Sequence, residues 1–320
     1  MIGKRPLGDT GLLISILGLG GHVYPQNSAE YYDGFYGRRF VEAEVYLQRR
    51  SMVEAALETG INLFAADFEF EASGLGRALK ELGAINKVFV SPVIDYRSDS
   101  DGQPRLDVLR ARIDLWLAIM GTDRLDLTQI RVTDAFLRDG ILDDLMDQLS
   151  RLQDAGKIGV PSFYSPDTDL RVLITGLDKG WFKIICRPLG ILNPNAAWEL
   201  LPHVTAANAG FIGFVPFQKG WLFDLGREAG IDDFEIAQTG LRWPLEHKGV
   251  TGLLCGAASI EEIKTNAAAV KSPVTDLYRR IIRFSRTGGY ENFLNQVHRK
   301  APYLAFDWRL KNGRDHAALS

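Results

Sequence analysis

The chain has 320 residues, of which 46% are hydrophobic and 24% are charged, and its net charge is −3 with histidine taken as neutral. This composition is ordinary for a globular protein with a buried core, and the small net charge excludes an electrostatic footprint for nucleic acid or an anionic membrane. The sequence contains no apolar stretch of about 18 residues, so we expect no membrane-spanning helix. The two cysteines, Cys186 and Cys255, are too few for a disulfide framework, which favours the cytoplasm.

Short apolar runs alternate with longer amphipathic stretches along the chain, as in a parallel α/β fold. The apolar runs predict strands over residues 14–19, 62–66, 87–93, 125–130, 157–163, 181–186, 211–216 and 250–254. The amphipathic stretches predict helices over residues 45–58, 74–82, 106–120, 141–155, 197–209, 231–246 and 259–269. This succession predicts one (β/α)8 TIM barrel that spans residues 1–320 as a single domain, and a doubly wound sheet is the alternative.

Two segments fall outside this alternation. Residues 25–40 form an insert after the first predicted strand, and the insert is rich in aromatic residues and arginine. We predict that it is a lid over the barrel mouth or a contact surface for a protein partner, and a self-packed loop is the alternative. Residues 276–320 form a C-terminal extension with further aromatic residues.

Short motifs mark the ends of several predicted strands. In chain order they are Gly18-Leu19-Gly20-Gly21, Gly60-Ile61-Asn62, Gly76-Arg77-Ala78-Leu79-Lys80, Gly156-Lys157-Ile158 and Gly256-Ala257-Ala258-Ser259. With these motifs in this order, the chain resembles the aldo-keto reductases from about Arg5 to Asn266. The resemblance implies a TIM barrel of the aldo-keto reductase type. It also implies hydride transfer from NADPH to a carbonyl, which that family performs with an Asp, a Tyr, a Lys and a His at the barrel mouth.

The chain departs from the family at the positions that match this tetrad, where it carries Ala65, Phe70, Val93 and Arg131. In the family the tyrosine gives a proton to the carbonyl oxygen, and Phe70 has no acidic hydroxyl for this step. Arginine keeps its proton near neutral pH, so Arg131 cannot act as a general acid. Because the loss of a general acid lowers a rate by on the order of 10²–10⁴, we expect no ordinary carbonyl reduction.

The resemblance also implies a cofactor site, and we predict Gly256, Asn266 and Ser162 as its contacts. However, the loop at Ala257-Ala258 carries no cation for a 2′-phosphate, and Glu262 stands where the family favours Gln or Arg. Neutral amides at a helix terminus could still hold a phosphate, and the alternative is a loop kept only for packing. We therefore expect no resident cofactor, with NADP or NAD as the alternative.

Polar residues at predicted strand ends provide the candidate catalytic groups, which are Arg131, Asp67, Glu69 and Tyr24. A guanidinium such as that of Arg131 grips a carboxylate or phosphate, and an internal salt bridge with Asp67 or Glu69 is the alternative. Asp67 and Glu69 would face alike on an extended chain and form an acid–base pair, unless they lie in a solvated loop. No spacing of residues predicts a metal site.

Three functions follow from these residues. The first is a redox-neutral enzyme of lyase, dehydratase or isomerase type that acts in the barrel mouth on a small anionic or bulky apolar metabolite. The second is an NAD(P)-dependent oxidoreductase with a substituted proton donor, such as Tyr24 or Tyr96. The third is a non-catalytic binding or regulatory subunit on the same barrel.

Overall fold

The computed structural model of the protein describes residues 1–21, 43–94, 96, 105–138, 140–165, 170–218, 220–228, 230–273 and 276, with the backbone alone for residues 43–45, 70, 221, 225 and 228. Tyr24, the predicted insert over residues 25–40 and all of the predicted extension except Asp276 lie outside the described residues.

A closed barrel of parallel strands forms the centre of the described chain. Its strands are β3 (Leu17–Leu19), β4 (Leu63–Ala66), β5 (Phe89–Ile94), β6 (Leu125–Arg131), β7 (Ile158–Tyr164), β8 (Ile184–Pro188), β9 (Gly210–Phe214) and β10 (Val250–Cys255). They follow one another around the barrel in chain order, and β10 closes the ring against β3. The TIM barrel fold predicted from the sequence is therefore confirmed, and the doubly wound alternative is wrong.

Helices alternate with the strands along the chain. They are α1 (Ala43–Thr59), α2 (Glu69–Glu81), α3 (Leu106–Met120), α4 (Ile141–Asp154), α5 (Arg171–Asp178), α6 (Asn195–Glu199), α7 (Leu201–Ala206), α8 (Trp221–Glu228), α9 (Asp233–Leu245) and α10 (Ile260–Ala269). None of the helices that the structure describes combines the length and the apolar character needed to span a bilayer.

Side chains along each strand point alternately into the barrel and toward the surrounding helices. On β4, Leu63 and Ala65 belong to a small apolar cluster inside the barrel, whereas Phe64 and Ala66 belong to the larger cluster that includes the helices. Leu127 on β6 also belongs to the inner cluster. This alternation determines which residues near the carboxyl ends of the strands face the barrel mouth.

An antiparallel hairpin of β1 (Lys4–Pro6) and β2 (Leu13–Ser15) precedes the barrel. Two apolar side chains of this segment, Leu7 and Ile14, are fully buried in the inner cluster. The contact with β9 is so close that a Cβ on Gly210 would lie 2.4 Å from Cδ1 of Leu7. Since Gly210 begins its strand, the hairpin covers the amino end of the barrel.

The structure corrects several predicted elements. The predicted strand over residues 14–19 is divided between the hairpin strand β2 and the barrel strand β3. The predicted helix over residues 197–209 is two short helices, α6 and α7. Helices α5 and α8 were not predicted, because each has only eight residues and begins without a Ser, Thr, Asp or Asn cap at the preceding residue.

Candidate active site

Arg131 is the last residue of β6 and lies at the carboxyl end of the barrel. It follows the inward-facing Leu127 by four residues, so the strand alternation directs its side chain into the mouth. The side chain is half-buried, and its Cζ lies 5.7 Å from the ring centroid of Tyr164, the paired residue on β7. A cation within about 6 Å of an aromatic centroid is attracted to the ring face. The mouth therefore combines a fixed positive charge with an aromatic ring.

A buried tyrosine fixes the backbone that carries Arg131. The Oη of Tyr96 donates a hydrogen bond of 2.7 Å to the carbonyl oxygen of Arg131. Tyr96 is 0% exposed, and its ring packs edge-to-face on Phe136 at a centroid distance of 6.2 Å. Because its hydroxyl hydrogen is engaged in this bond inside the protein, Tyr96 does not fit the role of substituted proton donor.

A second aromatic ring extends the wall beside Arg131. Phe214, the last residue of β9, meets Tyr164 edge-to-face at a centroid distance of 6.0 Å. Both residues also pack against the inner cluster of the barrel. The two rings provide apolar surface and Arg131 provides charge, and small-molecule sites usually combine apolar surface with a few polar groups.

Two of the matched tetrad positions lie on the inner wall as well. Ala65 on β4 pairs with Ser91 on β5, and Val93 pairs with Gln129 on β6. Ala65 is 3% exposed and Val93 is half-buried. Neither side chain can donate or accept a proton. The third position, Phe70, lies in the first turn of α2, and only its backbone is described.

The predicted pairing of Asp67 with Glu69 is wrong in its geometry. Asp67 directly follows β4 at the carboxyl end of the barrel, and the alternation of Leu63 and Ala65, continued by two residues, predicts that it faces the mouth. Glu69, however, is the first residue of α2 rather than part of an extended chain. Its carboxylate is 3.7 Å from Nη1 of Arg112 on α3, so it faces a neighbouring helix.

Helix α2 begins at Glu69 rather than at the predicted residue 74, and Glu71, which the sequence analysis did not single out, stabilises this start. Its Oε2 accepts hydrogen bonds from the backbone amides of Asp67 at 2.8 Å and Phe68 at 3.2 Å. An acid at the third helical position can cap a helix in this way, but Phe68 at the N-cap is not a Ser, Thr, Asp or Asn, so the sequence signal was incomplete. Glu71 is 2% exposed, and a Cβ on Gly21 would lie 2.6 Å from its Oε2. Glu71 therefore positions Asp67, and Gly21 leaves room for the carboxylate.

A polar layer lies beneath the mouth. Nε2 of Gln129 donates to the carbonyl oxygen of Ser91 at 3.1 Å, and Oγ of Ser162 donates to the carbonyl oxygen of Thr128 at 2.9 Å. Ser162 was predicted as a cofactor contact at a strand end, but β7 continues to Tyr164 and Ser162 is 0% exposed within the wall. Its role as a cofactor contact stays a prediction, and its burial weighs against it. Burial raises the pKa of Cys186 to about 12, so this neighbouring thiol is inert despite its hydrogen bond with Ser162.

The loop after β10 carries the two other predicted cofactor contacts. Gly256 is exposed, and a Cβ on Gly20 would come within 3.0 Å of its amide nitrogen, so two loop backbones approach closely there. Asn266 is 6% exposed, and its Nδ2 donates to Sγ of Cys255 at 3.7 Å. The side chain of Asn266 is therefore held at the end of β10. The roles of Gly256 and Asn266 as cofactor contacts stay predictions.

The remaining predictions concern metals and Tyr24. Within the described ranges, no group of three or more His, Cys, Asp or Glu side chains could hold a metal ion. Tyr24 lies outside those ranges. The structure thus brings Arg131, Tyr164 and Asp67 to one barrel mouth and separates Glu69 from them.

The closed barrel of parallel strands, together with its similarity to solved aldo-keto reductase structures, shows that the chain has a (β/α)8 fold of the aldo-keto reductase type. One similar structure is the holo form of the aldo-keto reductase AKR11C1 from Bacillus halodurans, with a TM-score of 0.71, 21% identity, and coverage of 89% of this chain and 96% of that chain. The apo form of the same protein gives a TM-score of 0.65 and 20% identity over the same shares. No family model and no curated protein matches the sequence. At this identity the likeness establishes the fold, and the function is argued from the site.

Proposed function

We propose that the protein is a redox-neutral enzyme that binds a small anionic metabolite in the barrel mouth. In this proposal Arg131 holds the carboxylate or phosphate of the substrate, and Asp67 moves the proton. One observation carries the proposal: the side chain of Arg131 is directed into the mouth at the end of β6, 5.7 Å above the ring of Tyr164. The reaction is of the isomerase, dehydratase or lyase type.

The electrostatics of the mouth favour an anion. A half-buried guanidinium binds a carboxylate or phosphate through two parallel hydrogen bonds, and partial exclusion of water strengthens such bonds. Tyr164 and Phe214 add ring surface on one side of the cation. A substrate with an anionic group attached to an apolar or unsaturated carbon skeleton matches both features.

Asp67 lies at a useful distance from this anion site. Its strand β4 and the Arg131 strand β6 are separated only by β5. Neighbouring strands are about 4.8 Å apart, so the two backbones are separated by roughly 10 Å, which leaves room for a small molecule between the side chains. In an allylic isomerisation Asp67 takes a proton from the carbon next to the carboxylate, the double bond shifts by one position, and the proton returns to the far carbon of the original double bond. In a dehydration the loss of the same proton is accompanied by cleavage of the C–O bond on the next carbon, and the proton goes to the departing hydroxide to form water.

The proposal gives a nicotinamide cofactor no role. At the strand positions matched to the family's Asp and Lys, the inward side chains are those of Ala65 and Val93, which provide nothing to tune a proton donor. The positions matched to the family's tetrad therefore supply no acid partner for hydride transfer. A barrel mouth with Ala65, Val93 and Arg131 at the positions of the reductase tetrad fits a reaction without net electron transfer.

A ligand panel tests the anion site. Purified protein is titrated with benzoate, phenylpyruvate, phenyl phosphate and neutral benzyl alcohol, and binding is followed by thermal shift and calorimetry. We expect binding of at least one anion and none of the alcohol, with a loss of about 10–100-fold in affinity in Arg131→Gln.

Arg124→Gln is the matched control, because Arg124 directly precedes the same strand at its amino end and its side chain is 57% exposed. The control should bind as the wild type does. Equal affinity of the wild type and Arg131→Gln for every anion would overturn the proposed site. Anion binding without any turnover of the ligand would instead favour a binding subunit.

A further inference from the structure

The loop after the last barrel strand is the part of a TIM barrel that frequently holds a phosphate group. Such sites combine the loops after the last strands with a helix amino terminus, whose amides and dipole attract anions. In this protein β10 ends at Cys255, and α10 begins at Ile260. The intervening residues are therefore where a phosphorylated ligand or the phosphates of a dinucleotide would be expected.

The protein's own side chains already occupy amides of this helix terminus. Oε2 of Glu262 accepts a hydrogen bond of 2.8 Å from the amide of Ala258. Oγ of Ser259 accepts one of 3.1 Å from the amide of Glu262. The carboxylate of Glu262 thus takes the place of an external anion at the amide of Ala258, and a phosphate oxygen cannot use the same donor without displacing it.

The charge of Glu262 also opposes a phosphate at this loop. Gly256, Ala257, Ala258 and Ser259 carry no positive side chain. Burial raises the pKa of Cys255, and the negative charge of Glu262 raises it further, so the carboxylate makes the potential at the end of β10 more negative. A second anion placed there would meet like-charge repulsion at close range.

We infer that Glu262 is an internal anion that closes this loop to phosphate groups. A ligand that carries a phosphate at this position, including the 2′-phosphate of NADPH, is rejected, and the residues present do not fit NADPH as a resident cofactor. The inference stands apart from the proposed reaction, because it concerns β10 and α10 rather than Arg131 and Asp67.

Two variants separate occupancy from charge. Glu262→Ala empties the position, and Glu262→Gln keeps an acceptor for the amide of Ala258 without the negative charge. Glu261→Ala is the matched control, because Glu261 is an exposed acid in the same first helical turn. For each protein the melting temperature in sodium phosphate is compared with that in sodium chloride at equal ionic strength, and circular dichroism verifies the fold.

The wild type and Glu261→Ala should show no phosphate-specific stabilisation, whereas Glu262→Ala should gain about 2 °C or more at a phosphate concentration well above its dissociation constant. Glu262→Gln should gain less than Glu262→Ala. The inference is overturned if the wild type gains as much as Glu262→Ala, or if the folded Glu262→Ala gains nothing.

A titration with reduced dinucleotides provides the second readout. Quenching of protein fluorescence is measured with NADPH and with NADH, which differ only in the 2′-phosphate. In Glu262→Ala the affinity for NADPH should rise about tenfold relative to the wild type, whereas the affinity for NADH should change by less than about threefold. A wild type that binds NADPH more tightly than NADH would also overturn the inference.

Discussion

Two regions at the same end of the barrel have opposite electrostatic character. At the ends of β6 and β7, Arg131 offers a positive charge beside the ring of Tyr164. After β10, Glu262 places a negative charge on the helix amides that would otherwise attract an anion. In our proposal, the comparison means that only one of these two positions at the same end of the barrel binds an anion. It also predicts that changes at the mouth affect binding and reaction of the ligand, whereas changes at the loop leave anion binding at the mouth unchanged.

The largest effect is expected from Asp67→Asn at the mouth. The amide cannot accept a proton, so exchange of a carbon-bound hydrogen of the bound ligand should slow by on the order of 10²–10⁴. The measurement is loss of the methylene proton signal of phenylpyruvate in D2O by NMR, because phenylpyruvate is the panel anion with acidic carbon-bound hydrogens. Ligand affinity should change much less than the exchange rate, and an undiminished exchange rate in Asp67→Asn would remove this residue from the reaction.

The next effect concerns the shape of the cation. In Arg131→Lys the charge remains, but the planar guanidinium is lost, and we expect about a tenfold loss in affinity for a carboxylate. Calorimetry of the same anion with the wild type, Arg131→Lys and Arg131→Gln gives the order of affinities. A lysine variant as tight as the wild type would show that charge alone, without paired hydrogen bonds, holds the ligand.

A smaller effect on anion affinity is expected at Tyr96, whose hydroxyl donates a hydrogen bond to the backbone of Arg131. Tyr96→Phe removes the hydrogen bond to the carbonyl oxygen of Arg131 and should lower the free energy of unfolding by about 1 kcal/mol. Because the cation is less well positioned, we expect anion affinity to fall by about threefold to fivefold. Urea unfolding and calorimetry measure the two quantities. A stability loss with unchanged affinity would make Tyr96 a purely structural residue.

The smallest effect on ligand binding is expected at the loop. Ser259→Ala removes the side chain that caps α10 and should lower the free energy of unfolding by about 1 kcal/mol. Anion affinity at the mouth should be unchanged, because β6 and β7 lie on the far side of the barrel from β10 in strand order. A marked change in that affinity would contradict the separation of the two regions.

The sequence predicted those elements whose local signals agree with the fold. Helix α3 was predicted with its observed bounds, because its apolar spacing ends at Gly121, which adopts the left-handed conformation that favours glycine, with φ 61°. The succession of strands and helices also followed from the alternation of apolar and amphipathic stretches, and the resemblance together with the predicted strand end placed Arg131 at the barrel mouth. These features depend on neighbours in the chain, so they can be read without the tertiary structure.

The sequence could not predict features that depend on whether a short segment forms a helix or a strand, or on which rotamer a side chain adopts. The residue pattern predicts that Asp67 and Glu69 alternate on an extended chain, but the carboxylate of Glu71 accepts hydrogen bonds from two preceding amides and a helix starts there instead. The sequence predicted that β7 ends at Phe163, whereas it ends at Tyr164. The predicted strand therefore lacked Tyr164, the residue that pairs with Arg131 on β6. The hydrogen bond of Glu262 to Ala258 likewise depends on a side-chain rotamer that no residue pattern specifies.

The most direct test of the opposed regions is anomalous scattering from crystals soaked in sodium selenate, an oxyanion with a strong selenium signal. The wild type should show a selenium peak within hydrogen-bonding distance of the Arg131 guanidinium and none at the amide of Ala258. A peak at Ala258 in the wild type, or an empty Arg131 at saturating selenate, would contradict the account.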